Sequence, residues 1–396
     1  PYNPATADNY LGIPYMDHAE TDLNPRYDRG TLREVYEMIG KDIEEGIPLI
    51  DDTSYAVPKY HFNYKAACCF ASRYYLFIQD WDNAIKYATE ALTSNPTSLL
   101  RDYDAIAAIP NGTSRHQAYV QSSSSANFLV QAATSSAGTV FGWYTTAGRY
   151  AHGKLQGTYE TVQPKYGGPW GNSVYFKAGH AVLASSGKYI LPRIWYTFQY
   201  TDPVAGTGYS KAVSVLFCME EALLNRAEAY VMKMQEDPSA LDSALADMNM
   251  YASNLFSSGF TPMTEESIKK WATETYSNYS ELYVGKTSET SPQTLNPKKK
   301  LFAPPYNALE KGSTQESMLQ ALLFMRRYQF LHEGMRWFDT RRFGITVYRY
   351  TLDEDDETVL QITDQISDED GTPDPRRALQ LPSDVIAAGL TPNPRN

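Results

Sequence analysis

The chain has 396 residues, 20% of them charged and 42% hydrophobic, with a formal net charge of −11 and a pI near 5.1. That length is enough for one large domain or two to three smaller ones, and the composition is that of an ordinary globular protein. The acidic balance excludes recognition of a phosphate backbone, which needs a basic patch, so nucleic acid is not an expected partner.

Residues 1–30 are rich in Pro, Asn, Asp and Tyr and read as loop or extended chain. No signal peptide opens the sequence; Pro1-Tyr-Asn-Pro4 reads as the middle of a protein, so any targeting segment is expected outside this chain. Thr31-Leu-Arg-Glu34 has the form of a capping box. Leu32, Val35, Ile39 and Ile43 then make a helical stripe, stopped by Gly46 and Pro48. Residues 65–98 predict two helices around a turn at Asp80-Trp-Asp82. The first carries Ala66, Ala67, Ala71 and Ser72; the second aligns Ala84, Ile85, Ala88, Ala91 and Leu92 on one face. Pro96 cannot continue the hydrogen-bond ladder and ends the unit. The unit resembles a tetratricopeptide repeat, in which small residues mark a close helix crossing, so Ala84 and Ala91 are expected at helix–helix contacts. One such unit must bury its face on a neighbour.

Residues 99–215 change character, with Ser122-Ser-Ser-Ser125 and Tyr166-Gly-Gly-Pro-Trp170 as loop signatures. Short β-strands are expected at 139–145, 173–177 and 193–200. A long irregular insertion in a helical chain is usually functional. It holds many of the chain's 31 Tyr and 6 Trp, and flat amphipathic rings serve carbohydrate and peptide surfaces. Trp143, Tyr144, Trp170 and Tyr175 are the expected ligand contacts, because glycines beside them reduce steric cover and Pro169 stiffens the turn. Tyr150, Tyr159, Tyr166, Trp195, Tyr196 and Tyr200 are further rings of the same segment, each of which could instead cover a local core.

Helices are expected again over 216–344. One stripe runs through Phe217, Leu223, Leu224, Ala227 and Tyr230, a second through Leu241, Ala244, Met248, Tyr251 and Leu255. A weaker helix is expected over 264–283, then a polar surface loop over 285–312 whose Lys298-Lys-Lys300 reads as solvated. Ser313-Thr-Gln-Glu316 predicts a second capping box. The charges of 333–342 predict a network that locks the scaffold, with an Arg336–Asp339 pair, and neighbouring arginines are expected to hold Glu333 and Asp339 ionised. Residues 345–396 read as irregular, their acidic runs at 353–357 and 368–370 as solvated turns. The three cysteines, Cys68, Cys69 and Cys218, read as small buried hydrophobes, and no cysteine or histidine pattern points to a metal or cofactor. No GxxxxGK[ST], GxSxG or HExxH pattern occurs, so no enzymatic activity is expected.

Glu333-Gly-Met-Arg-Trp-Phe-Asp-Thr-Arg-Arg-Phe-Gly344 resembles the C-terminal signature of the SusD/RagB family. Leu224-Asn-Arg-Ala-Glu-Ala-Tyr230 with Ala244-Leu-Ala-Asp-Met-Asn249, the 65–98 unit, and Asp374-Pro-Arg376 with Leu381-Pro382 and Asn393-Pro394 agree with it in order. The family's N-terminal helices and lipid-bearing cysteine have no counterpart in these motifs. The resemblance implies one SusD-like domain over 1–396: repeat-like helices at 31–98, a ligand-binding insertion at 99–215, a helical scaffold at 216–344 and a C-terminal segment at 345–396. The expected class is mainly α, with tetratricopeptide-like helix pairs and an insertion containing short strands. The implied function is capture of oligosaccharide for a SusC-like TonB-dependent outer-membrane transporter, from a lipid anchor on the extracellular face. Peptide ligands, a helical glycoside hydrolase and a cytosolic repeat scaffold are the alternatives. The hydrolase would need two carboxylates roughly 5–9.5 Å apart in a cleft; the scaffold would need a regular array, which the insertion contradicts.

Overall fold

The structure is a computed structural model. It describes residues 2–21, 27–140, 153–159, 161, 168–171, 177, 182–183, 189–256, 260–275, 298–355, 358–369 and 371–395. The N-terminal half carries α1 (Leu32–Gly46), α2 (Tyr64–Ile78), α3 (Trp81–Leu92), α4 (Tyr103–Ala108) and α5 (Gly112–Tyr119). The insertion adds β1 (Asn127–Thr134), α6 (Ala137–Val140), α7 (Lys154–Tyr159), the short ladder β2 (Val182–Leu183) and β3 (Tyr189–Ile190), then β4 (Ile194–Asp202) and β5 (Thr207–Cys218). The scaffold follows as α8 (Met219–Lys233), α9 (Ala240–Leu255), α10 (Glu265–Lys270), α11 (Thr314–Gln329) and α12 (Met335–Arg342), and the chain closes with β6 (Val347–Leu352), β7 (Val359–Ile366) and α13 (Ser383–Ala387).

The local signals explain most helix starts. At α1 the capping box forms in full: the Thr31 hydroxyl accepts from Glu34 N and the Glu34 carboxylate accepts from Thr31 N. The α2–α3 turn is tighter than expected. Gln79 takes a left-handed conformation and Asp80 caps α3 by accepting from Asn83 N, so Trp81 already lies in the helix. Ala84, Ala88 and Ala91 are wholly buried where α3 packs between α2 and α8. A methyl side chain at these positions lets helix axes approach closely, as the repeat pattern requires. At α11 only half of the expected box forms. Ser313 caps Glu316 N, but the Glu316 carboxylate turns to Gly312 N at 3.2 Å and Lys298 at 2.9 Å.

Helix α8 is the hub of the core. Its apolar face (Ala222, Leu223, Leu224, Ala227) meets α3, α9 and α11. Its polar residues are buried too, Arg226 only partly, and they tie α8 to its surroundings. Glu220 accepts from Arg101 at 2.7 Å, and Glu221 from Arg73 of α2 at 2.6 Å. Asn225 donates to Ser72 at 3.0 Å and accepts from Arg326 of α11 at 2.9 Å. Arg226 holds Asp247 of α9 with two bonds of 2.8 Å, and Glu228 holds Arg342 of α12. The Arg-Ala-Glu-Ala stretch is thus a set of clamps. Burial alone would push the Glu220 carboxyl up, but the Arg101 guanidinium overrides it and holds the carboxyl below its ordinary range.

Several expectations fall to tertiary context. Phe217 sits on β5, because the strand runs to Cys218 and α8 begins at Met219. Residues 264–283 give α10 and a π-helical turn at Trp271–Thr275; the remainder lies outside the described residues. Residues 345–396 contain the antiparallel β6–β7 hairpin, so that segment is not irregular throughout. Asp368 is no solvated turn residue: it is buried and accepts from Arg377 at 2.7 Å. Asp339 pairs with Arg326 at 2.9 Å and Arg342 at 3.5 Å, since its helix presents it to α11 and not along its own surface to Arg336. The three cysteines are free thiols and buried, as expected.

Candidate functional site

Of the expected strands, 193–200 is seen as β4 from Ile194 on; Thr139 and Val140 belong to α6, and 141–145 and 173–176 lie outside the described residues. The sheet of the insertion has the order β1-β5-β4, all antiparallel. Val213 of β5 stands opposite Ala132 of β1 and Trp195 of β4. Residues opposite one another share a face, so Ala132, Val213 and Trp195 form one row across the sheet. Tyr196 falls on the other face, where Gly138 of α6 lies so close that a Cβ there would stand 3.0 Å from the tyrosine backbone.

The row borders a groove of about 620 Å³. Trp195 and Tyr60 supply its rings; Gln117, Gln121, Ser122, Ser123 and Gln131 supply amides and hydroxyls; Val120, Val130 and Val213 supply apolar surface. None of the described lining residues carries a charge at neutral pH. Tyr60 is 58% exposed and its hydroxyl accepts from Ser122 at 3.3 Å. The wall is held from behind. The buried Asn127 amide donates to Tyr119 O and Gln121 O at 2.9 and 2.8 Å, fixing the turn that carries Gln121 to Ser123. The Asn63 amide donates to Phe128 O at 2.6 Å, tying β1 to the start of α2. His116 Nδ1 is 2.7 Å from Ile194 O, joining α5 to β4. Burial pushes His116 down to about 4, so the imidazole is neutral near pH 7 and donates from that nitrogen.

A second, larger cavity of about 1160 Å³ lies between α11, α12, β6 and the 298–311 stretch. Six basic side chains line it (Lys298, Lys299, Lys300, Lys311, Arg327 and Arg336) against two carboxylates, Glu316 and Glu369. The lysine run is therefore not simply solvated. The Gln320 side chain donates to Lys299 O at 2.8 Å, hooking the run onto α11. Phe302 N donates to Phe343 O at 3.0 Å; Gly344 lets this happen, since a Cβ there would stand 2.7 Å from Ala303 N and its φ is +65°. Burial pushes Lys299 down to about 7 and Arg327 down to about 9, with Arg336 adding like-charge repulsion to both. Rings of Trp337, Tyr348 and Tyr350 share the lining.

The expected contacts fare differently. Trp143, Tyr144 and Tyr175 lie outside the described residues. Trp170 does not stand out to solvent: it is 2% exposed and packs on Phe256 and Phe324 with ring centroids 4.0 and 5.4 Å away. Gly168 serves to let backbone cover the indole, for a Cβ there would stand 2.3 Å from the ring. Glu333 departs from expectation too. Burial pushes it up to about 8, and the nearby Arg193 and Arg101 only partly offset this. Sequence reasoning missed Tyr60 and Gln117, whose approach to Trp195 depends on long-range pairing. It weighed Lys298 to Lys300 as surface charge, although their spacing from Arg327 and Arg336 gave no sign of a shared wall.

Residues 5–76 match the model of a SusD-like family described as "Starch-binding associating with outer membrane". No curated protein matches the chain. Among solved structures, a "SusD-like carbohydrate binding protein" from Bacteroides vulgatus is similar at 15% identity and a TM-score of 0.50, over 88% of this chain and 60% of that one. A "putative sugar binding protein" from the same organism is similar at 18% identity and a TM-score of 0.52, over 97% of this chain and 70% of that one. A SusD superfamily protein, also from B. vulgatus, is similar at 18% identity and a TM-score of 0.53, over 99% and 72%. The chain therefore spans 60% of the length of the first of these relatives and somewhat more of the other two. The fold is that of the SusD superfamily, and the resemblance read from the C-terminal motifs extends into the N-terminal 5–76 segment.

Proposed function

We propose that this SusD-like chain is a cell-surface carbohydrate-binding protein, capturing oligosaccharide at the outer membrane for a SusC-like TonB-dependent transporter, and that the groove between Tyr60 and Trp195 contacts the sugar. The observation that carries the reading is the lining of that groove: among the described residues, two rings beside five neutral hydrogen-bonding side chains and no formal charge. Pyranose rings have apolar faces that stack on aromatics and hydroxyls that bond to amides and hydroxyls, so the lining matches a neutral sugar edge for edge. The back-bonds from Asn127 and Asn63 keep the wall in place before a ligand arrives, which limits the ordering cost of binding. The matched family description and the relatives' titles support a sugar ligand. Hydrolysis is not part of the proposal, because Asp339 is buried in an ion pair with Arg326 and is not presented to a cleft. No helix among the described residues is long and apolar enough to cross a membrane; attachment to the outer membrane through a lipid anchor is part of the proposal.

The test is a screen of neutral oligosaccharides followed by calorimetric titration. Tyr60→Ala and Trp195→Ala should each weaken binding about two- to tenfold, from stacking worth about 0.5–1.5 kcal/mol per ring. Melting temperature should stay near wild type for Tyr60→Ala, whose ring is largely exposed. Wild-type affinity in both folded variants would remove the groove from consideration.

A further inference from the structure

We propose that the binding surface runs on from the groove along the open face of the β4–β5 hairpin to Tyr209, so that the ligand is a linear, uncharged oligosaccharide longer than a disaccharide; the inference rests on the carbohydrate reading above. Three observations carry it. The first is register. Val213 stands opposite Trp195, Lys211 opposite Thr197 and Tyr209 opposite Gln199, with no register shift among these pairs. Alternate residues share a face, so the groove row of Ala132, Val213 and Trp195 is followed by a row of Thr134, Lys211 and Thr197, and then by Tyr209 with Gln199. A rise of about 3.3 Å per residue puts Tyr209 about 13 Å beyond Val213, a span that a disaccharide in the groove does not cover. The second is exposure. On this face Val213, Lys211 and Thr197 are half-buried and Tyr209 is 56% exposed. The other face is already taken near the groove, where Ala212 is buried and Gly138 of α6 lies against Tyr196. The third is chemistry on a stiff support. The rows offer a ring, then hydroxyls, then a second ring beside an amide, and no carboxylate stands among them. Lys211 donates to Thr134 Oγ1 at 2.7 Å and has further N–H donors for sugar hydroxyls. The Asp202 carboxylate accepts from Val204 N and Ala205 N at 2.9 and 3.0 Å and fixes the hairpin turn. Phe198 and Tyr200 pack edge to face on the opposite side, with ring centroids 4.8 Å apart. An arm ordered in this way limits the ordering cost of binding. An extended peptide would bond through its backbone to a strand edge, whereas a face of rings and hydroxyls suits a sugar chain.

The experiment titrates the whole chain calorimetrically with maltose and maltohexaose, with cellobiose and cellohexaose, and with a Gly-Ser hexapeptide as comparator. Whichever hexaose binds should do so about tenfold or more tightly than its disaccharide, with an affinity that salt does not change. Tyr209→Ala should weaken the hexaose about two- to tenfold and remove most of its advantage over the disaccharide. Tyr209→Phe keeps the ring and should keep most of that advantage. Tyr209 is largely exposed, so both variants should melt near the wild-type temperature. Trp195→Ala should weaken hexaose and disaccharide alike. Equal affinity for a hexaose and its disaccharide, or wild-type hexaose affinity in Tyr209→Ala, would overturn this inference and leave the groove proposal standing wherever Trp195→Ala still weakens the disaccharide. Affinity that falls as salt rises would overturn the assignment to an uncharged chain. The hexapeptide bound as tightly as the hexaose would overturn the assignment to sugar. Binding of no sugar at all would overturn both readings.

Discussion

The scaffold around α8 and the sheet of the insertion use polar residues in opposite ways. In the scaffold, charge is buried and spent on fixing geometry: Glu220, Glu221, Asn225, Arg226 and Glu228 tie α8 to Arg101 and to α2, α9, α11 and α12. In the sheet, the groove is free of formal charge, and neutral amides and hydroxyls stand beside two partly exposed rings. A charge inside the core selects one partner and excludes water; a neutral wall leaves its hydrogen bonds available to an incoming hydroxyl. Trp170 shows that a residue's segment does not decide its side of this division. It belongs to the insertion by sequence and to the scaffold by packing, because Phe256 and Phe324 close over it.

The sharpest way to break the comparison is to remove a clamp. Glu228→Ala would leave the buried Arg342, among carboxylates, only its longer 3.5 Å contact with Asp339, and should cost about 3–5 kcal/mol. Urea denaturation measures it; a loss under about 1 kcal/mol would mean that the α8 clamps contribute little. Trp170→Ala comes next. The ring is core, so the substitution should cost about 3 kcal/mol or more through its cavity, while oligosaccharide affinity stays at the wild-type level. Lost affinity with unchanged stability would return Trp170 to the binding surface. The smallest effect depends on pH. Glu333 binds its proton more tightly when folded, at about 8, than at the ordinary value of 4.5. Its contribution is therefore whole below about pH 4.5 and is lost as pH rises through about 8. Glutamine cannot ionise, so Glu333→Gln should gain on wild type above pH 4.5, reaching about 1–2 kcal/mol by pH 9 after discounting for partial solvent access. A difference between variant and wild type that is flat from pH 4 to pH 9 would refute the shift.

The helical part of the molecule was legible because its signals are local. Caps at Thr31 and Ser313, the small-residue face of α3 and the stripe of α8 depend on neighbours within a turn or two. The sheet was not. Asn127–Thr134 does not alternate, since Phe128, Leu129 and Val130 are all buried at its start, where the β1–β5 register slips, and only its far end is exposed. The β6–β7 hairpin escaped for a related reason: its polar faces, alternating Arg349 and Thr351 with Tyr348 and Tyr350, look like loop until paired. The groove was legible in region but not in residue. Apart from Tyr60 its lining falls in 99–215, yet Trp195 meets Ala132 only through a strand between them. Individual charge pairs also resisted reading, as Asp339 found Arg326 thirteen positions away in preference to its helical neighbour Arg336.

No residue separates β5 from α8: Cys218 ends the strand with extended backbone and Met219 begins the helix. The carbonyl of Cys218 meets the Cys69 thiol, and Met219 N donates to Ala126 O at 2.8 Å, so the junction is braced on both sides. The β5–α8 junction itself offers no intervening residue to act as a hinge. The central strand of the groove is a rigid extension of the hub, as an outrigger is of its hull. A ligand pressed against Val213 would bear on a strand that continues without a break into α8. In the proposed role, recognition on such a platform would proceed by fit to a standing surface, its shape set in the folding of the scaffold before any ligand is encountered.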